Sequence, residues 1–136
     1  RLHVAVIGPG DAHAALLDAA EEVGRRLGEA GATIGGGGLG GVMEAACRGA
    51  RSAGAPTIGL LPGEDRDAAN TWVSTAIPTG LGELRNGLVV RAADAVVAVG
   101  GAYGTLSEIA LALRGGRIFA IRRGSRVAHD LRRPPT

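Results

Sequence analysis

The sequence contains no lysine; all fifteen of its basic residues are arginines. Without an ε-amine, no Schiff base with pyridoxal phosphate can form. No Walker A phosphate loop can exist either, because that motif requires a lysine. Aromatic residues are almost as scarce, with only Trp72, Tyr103 and Phe119 in 136 residues. The core must therefore be built from Ala, Val, Leu and Ile, and a stacking platform for single-stranded nucleic acid is not expected. Cys47 is the single cysteine, which excludes an intramolecular disulfide. No apolar run reaches the roughly 18 residues that span a bilayer. No basic segment followed by an apolar stretch opens the sequence, so the expectation is a cytoplasmic protein with no signal peptide and no membrane partner. Asp11, His3, His13 and His129 have no partners at ligand spacing, and no metal site is expected.

Glycine, by contrast, is abundant, with 24 residues clustered at a few places and no collagen-like period. The length fits one domain with a real core, and 46% hydrophobic against 21% charged residues is the balance of a globular protein. Charge is uneven. Residues 111–136 carry seven arginines and one acid, Asp130, whereas residues 1–110 carry eight arginines and twelve acids. Residues 1–121 are read as a single domain and residues 122–136 as a basic, weakly patterned C-terminal tail.

Short apolar runs predict strands at residues 4–7, 32–34, 56–61, 72–77, 95–99 and 118–121. Helical spacing predicts helices at residues 11–30, 42–53, 81–93 and 105–114, with Asp11 as the cap of the first. Strands that alternate with helices and are apolar throughout imply a parallel sheet covered on both faces. Right-handed crossovers then make the fold class α/β, a Rossmann-like doubly wound sheet of about six strands. Ligands of such sheets bind at the carboxyl ends of the strands, and each glycine cluster follows a strand.

Three glycine loops result. They are Gly8-Pro9-Gly10-Asp11, then Gly35-Gly36-Gly37-Gly38-Leu39-Gly40-Gly41, then Gly100-Gly101-Ala102-Tyr103-Gly104-Thr105. Backbone without Cβ atoms lets N–H groups approach a ligand, and the positive end of a following helix favours phosphate. The second loop contains G-x-G-x-x-G in two registers, but the next strand ends Leu60-Leu61-Pro62 without the acid a dinucleotide needs, which argues against NAD. Thr105 and Glu108 have the spacing of a capping box. Tyr103, inside a glycine loop, is placed to stack on a ligand ring.

Gly36-Gly37-Gly38 with Gly41-Val42-Met43, then Leu84-Arg85-Asn86, then residues 100–108, resemble the lonely-guy (LOG) superfamily, whose members long carried a lysine decarboxylase label. The resemblance covers about residues 3–121. One branch hydrolyses the N-glycosidic bond of nucleoside 5′-monophosphates and carries P-G-G-x-G-T-x-x-E and M-H-x-R-K. This chain keeps Arg85, Gly101, Gly104, Thr105 and Glu108. It has Gly100 for the proline, Ala102 for a glycine, Asn86 for the lysine, Gly82-Glu83 for Met-His, and Glu44 where the enzymes have glycine. Those departures resemble the other branch, which contains molybdenum-cofactor carrier proteins.

The resemblance implies a carrier- or sensor-like protein that binds a phosphorylated ligand, either a nucleoside monophosphate or the molybdenum cofactor. It needs no catalytic cofactor and uses no pyridoxal phosphate. The candidate ligand-binding residues are Gly8 in the first loop, and Gly36, Gly37, Gly38, Gly41 and Met43 in and after the second. Thr79 and Gly80 follow the fourth strand, and Arg85 and Asn86 lie in the helix beyond. The third loop and its helix add Gly100, Gly101, Tyr103, Gly104, Thr105 and Glu108. The alternative is a nucleoside 5′-monophosphate phosphoribohydrolase with Arg85 and Glu108 catalytic. A nucleic-acid module using the basic tail ranks below both. A homo-oligomer is expected, because residues 81–93 carry more leucine and valine than one narrow helix face needs.

Overall fold

The computed structural model describes residues 2–100, 118–123 and 126–131. Strands β1 (His3–Ile7), β2 (Thr33–Gly36), β3 (Thr57–Leu61), β4 (Thr75–Pro78), β5 (Ala95–Val99), β6 (Ile118–Arg123) and β7 (Arg126–Leu131) form one sheet in the order β4-β3-β2-β1-β5-β6-β7. The first six run parallel, and β7 pairs antiparallel with β6 at the edge. This is the expected doubly wound α/β sheet. The chain winds outward from β1 to β4 on one side and from β5 to β6 on the other. The order therefore reverses between β1 and β5, where doubly wound sheets open a crevice.

Helices α1 (Ala14–Glu29) and α2 (Val42–Ser52) cover one face. They pack with Val4, Val6 and Ile34 around Leu16, Ala20, Val23 and Ala46. Helix α3 (Arg85–Arg91) covers the other face, where Val89 and Val90 pack with Ala5, Ile7, Val96 and Ala98. With so few large side chains available, density comes from close backbone approach. A Cβ on Gly24 would lie 2.0 Å from the Ala46 carbonyl oxygen, and one on Gly49 would lie 2.0 Å from the Glu21 carbonyl oxygen. The two helices thus cross almost backbone to backbone, and the Arg48–Glu21 ion pair, at 2.7 Å, ties their exposed sides. Among the described residues, Thr57 is the buried polar side chain of the core. Its hydroxyl donates to the Trp72 carbonyl and accepts from the Ser74 N–H at 2.8 Å, so its burial leaves no polar atom unpaired.

Four expectations need correction. Helix α1 is capped by His13, not Asp11. His13 has extended backbone, and its Nδ1 accepts from the Leu16 N–H at 3.3 Å. The strand expected at residues 72–77 begins only at Thr75. A turn holds the preceding residues, with the Trp72 N–H on the Asn70 side-chain oxygen at 2.9 Å and the Val73 N–H on the Asn70 carbonyl at 3.2 Å. Trp72 is accordingly 38% exposed. The helix expected at residues 81–93 is a 3₁₀ turn, Gly82–Leu84, leading into α3, because Gly82 has φ +60°, outside helical backbone.

The last correction concerns the basic tail, where residues 126–131 form a strand. An antiparallel edge strand is paired on one side only and need not be continuously apolar. Arg126-Val127-Ala128-His129-Asp130-Leu131 therefore lacks the signal of a buried parallel strand, and a bulge at Ile121/Arg122 shifts its register. The helix expected at residues 105–114 lies outside the described residues.

The crossing of α1 and α2 yields a stability test. Gly49→Ala should cost about 2–3 kcal/mol, because the new methyl meets rigid backbone. Gly87→Ala, in α3 with nothing within 4 Å of its Cβ position, should gain about 0.5–1 kcal/mol from helix propensity. Urea unfolding of both variants measures the difference. Equal stabilities would show that the backbone contact does not constrain the fold.

Candidate ligand-binding site

Because the strands are parallel, their carboxyl ends deliver the glycine loops to one edge of the sheet. Gly8 follows β1 and Gly100 follows β5, the two strands flanking the reversal. A Cβ on Gly8 would sit 2.5 Å from the Val99 carbonyl oxygen. Gly100, at φ +77°, lies against Leu16 and Pro9. Gly41 joins the first loop to the second. It has φ +73°, and a Cβ there would lie 2.5 Å from the Pro9 and Gly10 carbonyl oxygens. Pro9 in turn accepts the first N–H of α2, from Val42, at 3.1 Å. These glycines are demanded by contact between protein segments, and they draw the loops after β1, β2 and β5 together.

The second loop, residues 37–41, carries the features best suited to an anion. Met43 packs over Gly36, where a Cβ would fall 2.0 Å from its sulfur. Arg85, the first residue of α3, lays its guanidinium over Gly37, where a Cβ would fall 2.6 Å from Nη1 and 3.0 Å from Cζ. Its Nη1 donates to the Asn86 side-chain oxygen at 2.6 Å, which holds the guanidinium in place. A permanent cation thus stands over buried glycine backbone at the carboxyl edge of the sheet, next to the exposed Leu39 and Gly40. Glu44, in the first turn of α2, brings a carboxylate to the Gly40 side of the loop, 3.8 Å from the Cβ position there.

Asn70 is the site residue that sequence reasoning missed. It lies at the end of the polar loop after β3, 32 and 31 residues from Gly38 and Leu39, which it holds. Its backbone N–H donates to the Gly38 carbonyl at 2.8 Å. Its side-chain amide donates to the Leu39 carbonyl at 2.8 Å and to the Gly38 carbonyl at 3.3 Å. Burial pushes the Cys47 thiol in α2 up to about 12, with the nearby Asn70 amide acting in the opposite, lesser sense. Cys47 is therefore an uncharged core thiol at neutral pH. No spacing rule signals such a long-range clamp; an asparagine in a polar loop reads as a turn residue.

Thr79 and Gly80 follow β4. The Thr79 hydroxyl donates to the Leu61 carbonyl at 2.7 Å and accepts from the Leu81 N–H at 3.2 Å, so it latches β4 to β3. The Gly80 N–H donates to the Gly63 carbonyl at 2.9 Å. Gly8, Gly36, Gly37, Gly38, Gly41, Met43, Arg85, Asn86 and Gly100 all stand at or beside the carboxyl edge. Gly101, Tyr103, Gly104, Thr105 and Glu108 lie outside the described residues. Among the described residues, no three His, Cys, Asp or Glu side chains stand together as a metal site requires. No described helix is long and apolar enough to cross a membrane.

The sequence matches the SLOG cluster4 family over residues 1–132. The chain belongs to the SLOG cluster4 family. An uncharacterised protein from Archaeoglobus fulgidus is 40% identical over 119 residues, which is 88% of this chain and 78% of the relative. Among solved structures, the molybdenum cofactor binding protein from the phototrophic bacterium Rippkaea orientalis is similar, with a TM-score of 0.88 and 38% identity. That match covers 90% of this chain and 77% of the other. The molybdenum cofactor carrier protein of Chlamydomonas reinhardtii superposes with a TM-score of 0.83 at 35% identity, over 89% of this chain and 76% of its own. This SLOG cluster4 chain is thus similar in fold and sequence to small-molecule carriers and spans about three quarters of their length.

Proposed function

We propose that this chain is a carrier for a phosphorylated pterin, with the molybdenum cofactor as its cargo, anchored by the phosphate at the second glycine loop. One observation carries the reading: the Arg85 guanidinium, braced by Asn86, rests on Gly37 at the carboxyl edge of the sheet. A guanidinium close to the exposed backbone of Leu39 and Gly40 in the same loop matches a phosphate in charge and hydrogen bonding. Similarity to proteins described as binding and carrying the molybdenum cofactor supports that choice of cargo. Thr105 with Gly101 and Gly104 would complete the phosphate contacts from the third loop, and Tyr103 would lie against the ring. Glu44 stands beside Gly40, so the phosphate would take the Arg85 side of the loop's exposed N–H groups.

A second part of the proposal concerns self-association. Leu81, Leu84 and Leu88 are 46%, 77% and 41% exposed around the start of α3. An apolar surface of that kind is suited to pairing with a second copy of the chain. Sedimentation at micromolar concentration should show a dimer or larger assembly that Leu84→Glu dissociates. A monomeric wild type would refute it.

The binding reading is tested with 6-(hydroxymethyl)pterin phosphate and adenosine 5′-monophosphate. The wild type should bind the phosphorylated pterin, and Arg85→Ala should weaken that binding about tenfold or more, the worth of one charge-assisted contact. No free adenine should appear on incubation with the nucleotide. Glu108→Gln should change affinity little, since glutamine also suits a capping box. Base release by the wild type that disappears in Glu108→Gln would replace the carrier with a phosphoribohydrolase, whose transition state alone needs the carboxylate.

A further inference from the structure

We propose that Asn70 is the positioning residue of the phosphate loop: by holding the Gly38 and Leu39 carbonyls it turns the Leu39 and Gly40 N–H groups toward the ligand. The inference rests on the carrier reading above and assigns how the loop acquires its shape. Gly38 and Leu39 supply consecutive carbonyl oxygens, and Asn70 takes both. The Gly38 oxygen receives the Asn70 backbone N–H at 2.8 Å and its amide at 3.3 Å, and the Leu39 oxygen receives the amide at 2.8 Å. In a trans peptide the carbonyl of one residue and the N–H of the next point opposite ways across the same plane. The chain has no cis peptide among the described residues. Fixing the Gly38 and Leu39 oxygens toward Asn70 therefore aims the Leu39 and Gly40 N–H groups away from it.

Those two residues are the exposed part of a loop whose first four glycines, residues 35–38, are buried. Among the described residues neither N–H has a protein acceptor. Two adjacent N–H groups pointing the same way form a concavity that favours an anion.

Asn70 is itself held rigidly. Its side-chain oxygen accepts the Trp72 N–H at 2.9 Å, and the Val73 N–H closes a turn on its carbonyl at 3.2 Å. The amide thus has its donors on the loop and its acceptor on its own turn, and it cannot rotate without breaking both sets. Gly38, at φ +80°, supplies the backbone bend that presents successive carbonyls to one side chain. Aspartate at this position would keep the acceptor for Trp72 but would face two carbonyl oxygens with a carboxylate. Asn70→Asp is accordingly the sharpest perturbation of nearly unchanged shape.

The experiment titrates 6-(hydroxymethyl)pterin phosphate, and its dephosphorylated form as a control, into the wild type, Asn70→Ala and Asn70→Asp, reading pterin fluorescence. Circular dichroism confirms folding. Both variants should bind the phosphorylated probe at least about tenfold more weakly and the dephosphorylated one as the wild type does. On the ¹⁵N-labelled wild type, the Leu39 and Gly40 amide resonances should move with the phosphorylated probe and stay still with the other. This readout holds even if neither variant folds. Wild-type binding with unmoved Leu39 and Gly40 amides, or a folded Asn70→Asp that binds at full strength, overturns the assignment of Asn70 while leaving the carrier reading standing. A wild type that binds neither this probe nor adenosine 5′-monophosphate overturns both.

Discussion

The structure depends on backbone segments coming closer than any Cβ atom permits. At the carboxyl edge, Gly8 meets the Val99 carbonyl and Gly41 meets those of Pro9 and Gly10, each at 2.5 Å from the position a Cβ would take. At the other end of α2, Gly49 meets Glu21 and, further along the crossing, Gly24 meets Ala46. Among the described residues the buried core holds no aromatic side chain, so little side-chain volume fills the space between elements, and the elements themselves must close it. Dense packing is recovered by moving backbones together rather than by larger side chains.

The same constraint shapes the site. Loops pulled into contact after β1, β2 and β5 leave the second glycine loop at the carboxyl edge beside the reversal of strand order, with Gly41 against Pro9 and Gly10. Arg85 can then rest on Gly37 because that residue has no side chain. Asn70 sets the direction of the next two peptides from a loop far away in sequence. Charge, shape and backbone orientation at the edge come from three separate segments, which the parallel sheet delivers to one place. Among solved structures, the similar molybdenum cofactor proteins share this chain's fold over about nine tenths of its length.

Much of this was legible beforehand. Continuous aliphatic runs such as residues 95–99 mark strands buried on both faces, and glycines after them mark the binding edge whatever the crossovers do. Periodicity in α1 and α2 is strong enough to place both helices within a few residues. What escaped detection depends on tertiary contact. His13 replaces Asp11 as cap because the first loop runs on past Gly10. β7 lacks a continuous apolar run because only one of its edges is paired. Asn70 acts through hydrogen bonds to residues more than thirty positions away. Thr79, attractive as a ligand contact by its place after a strand, spends its hydroxyl on the Leu61 carbonyl and the Leu81 N–H.

The central claim is that the carboxyl edge, at Gly37 and Arg85, is where a phosphate is held. Diffraction from crystals grown with 6-(hydroxymethyl)pterin phosphate tests it most directly. The account predicts phosphate density within hydrogen-bonding distance of the Arg85 guanidinium and of the Leu39 and Gly40 N–H groups, with the pterin directed toward the third glycine loop. Density for the ligand at the amino ends of the strands, beside His3 and Asp94, or along the exposed edge of β4, would contradict it.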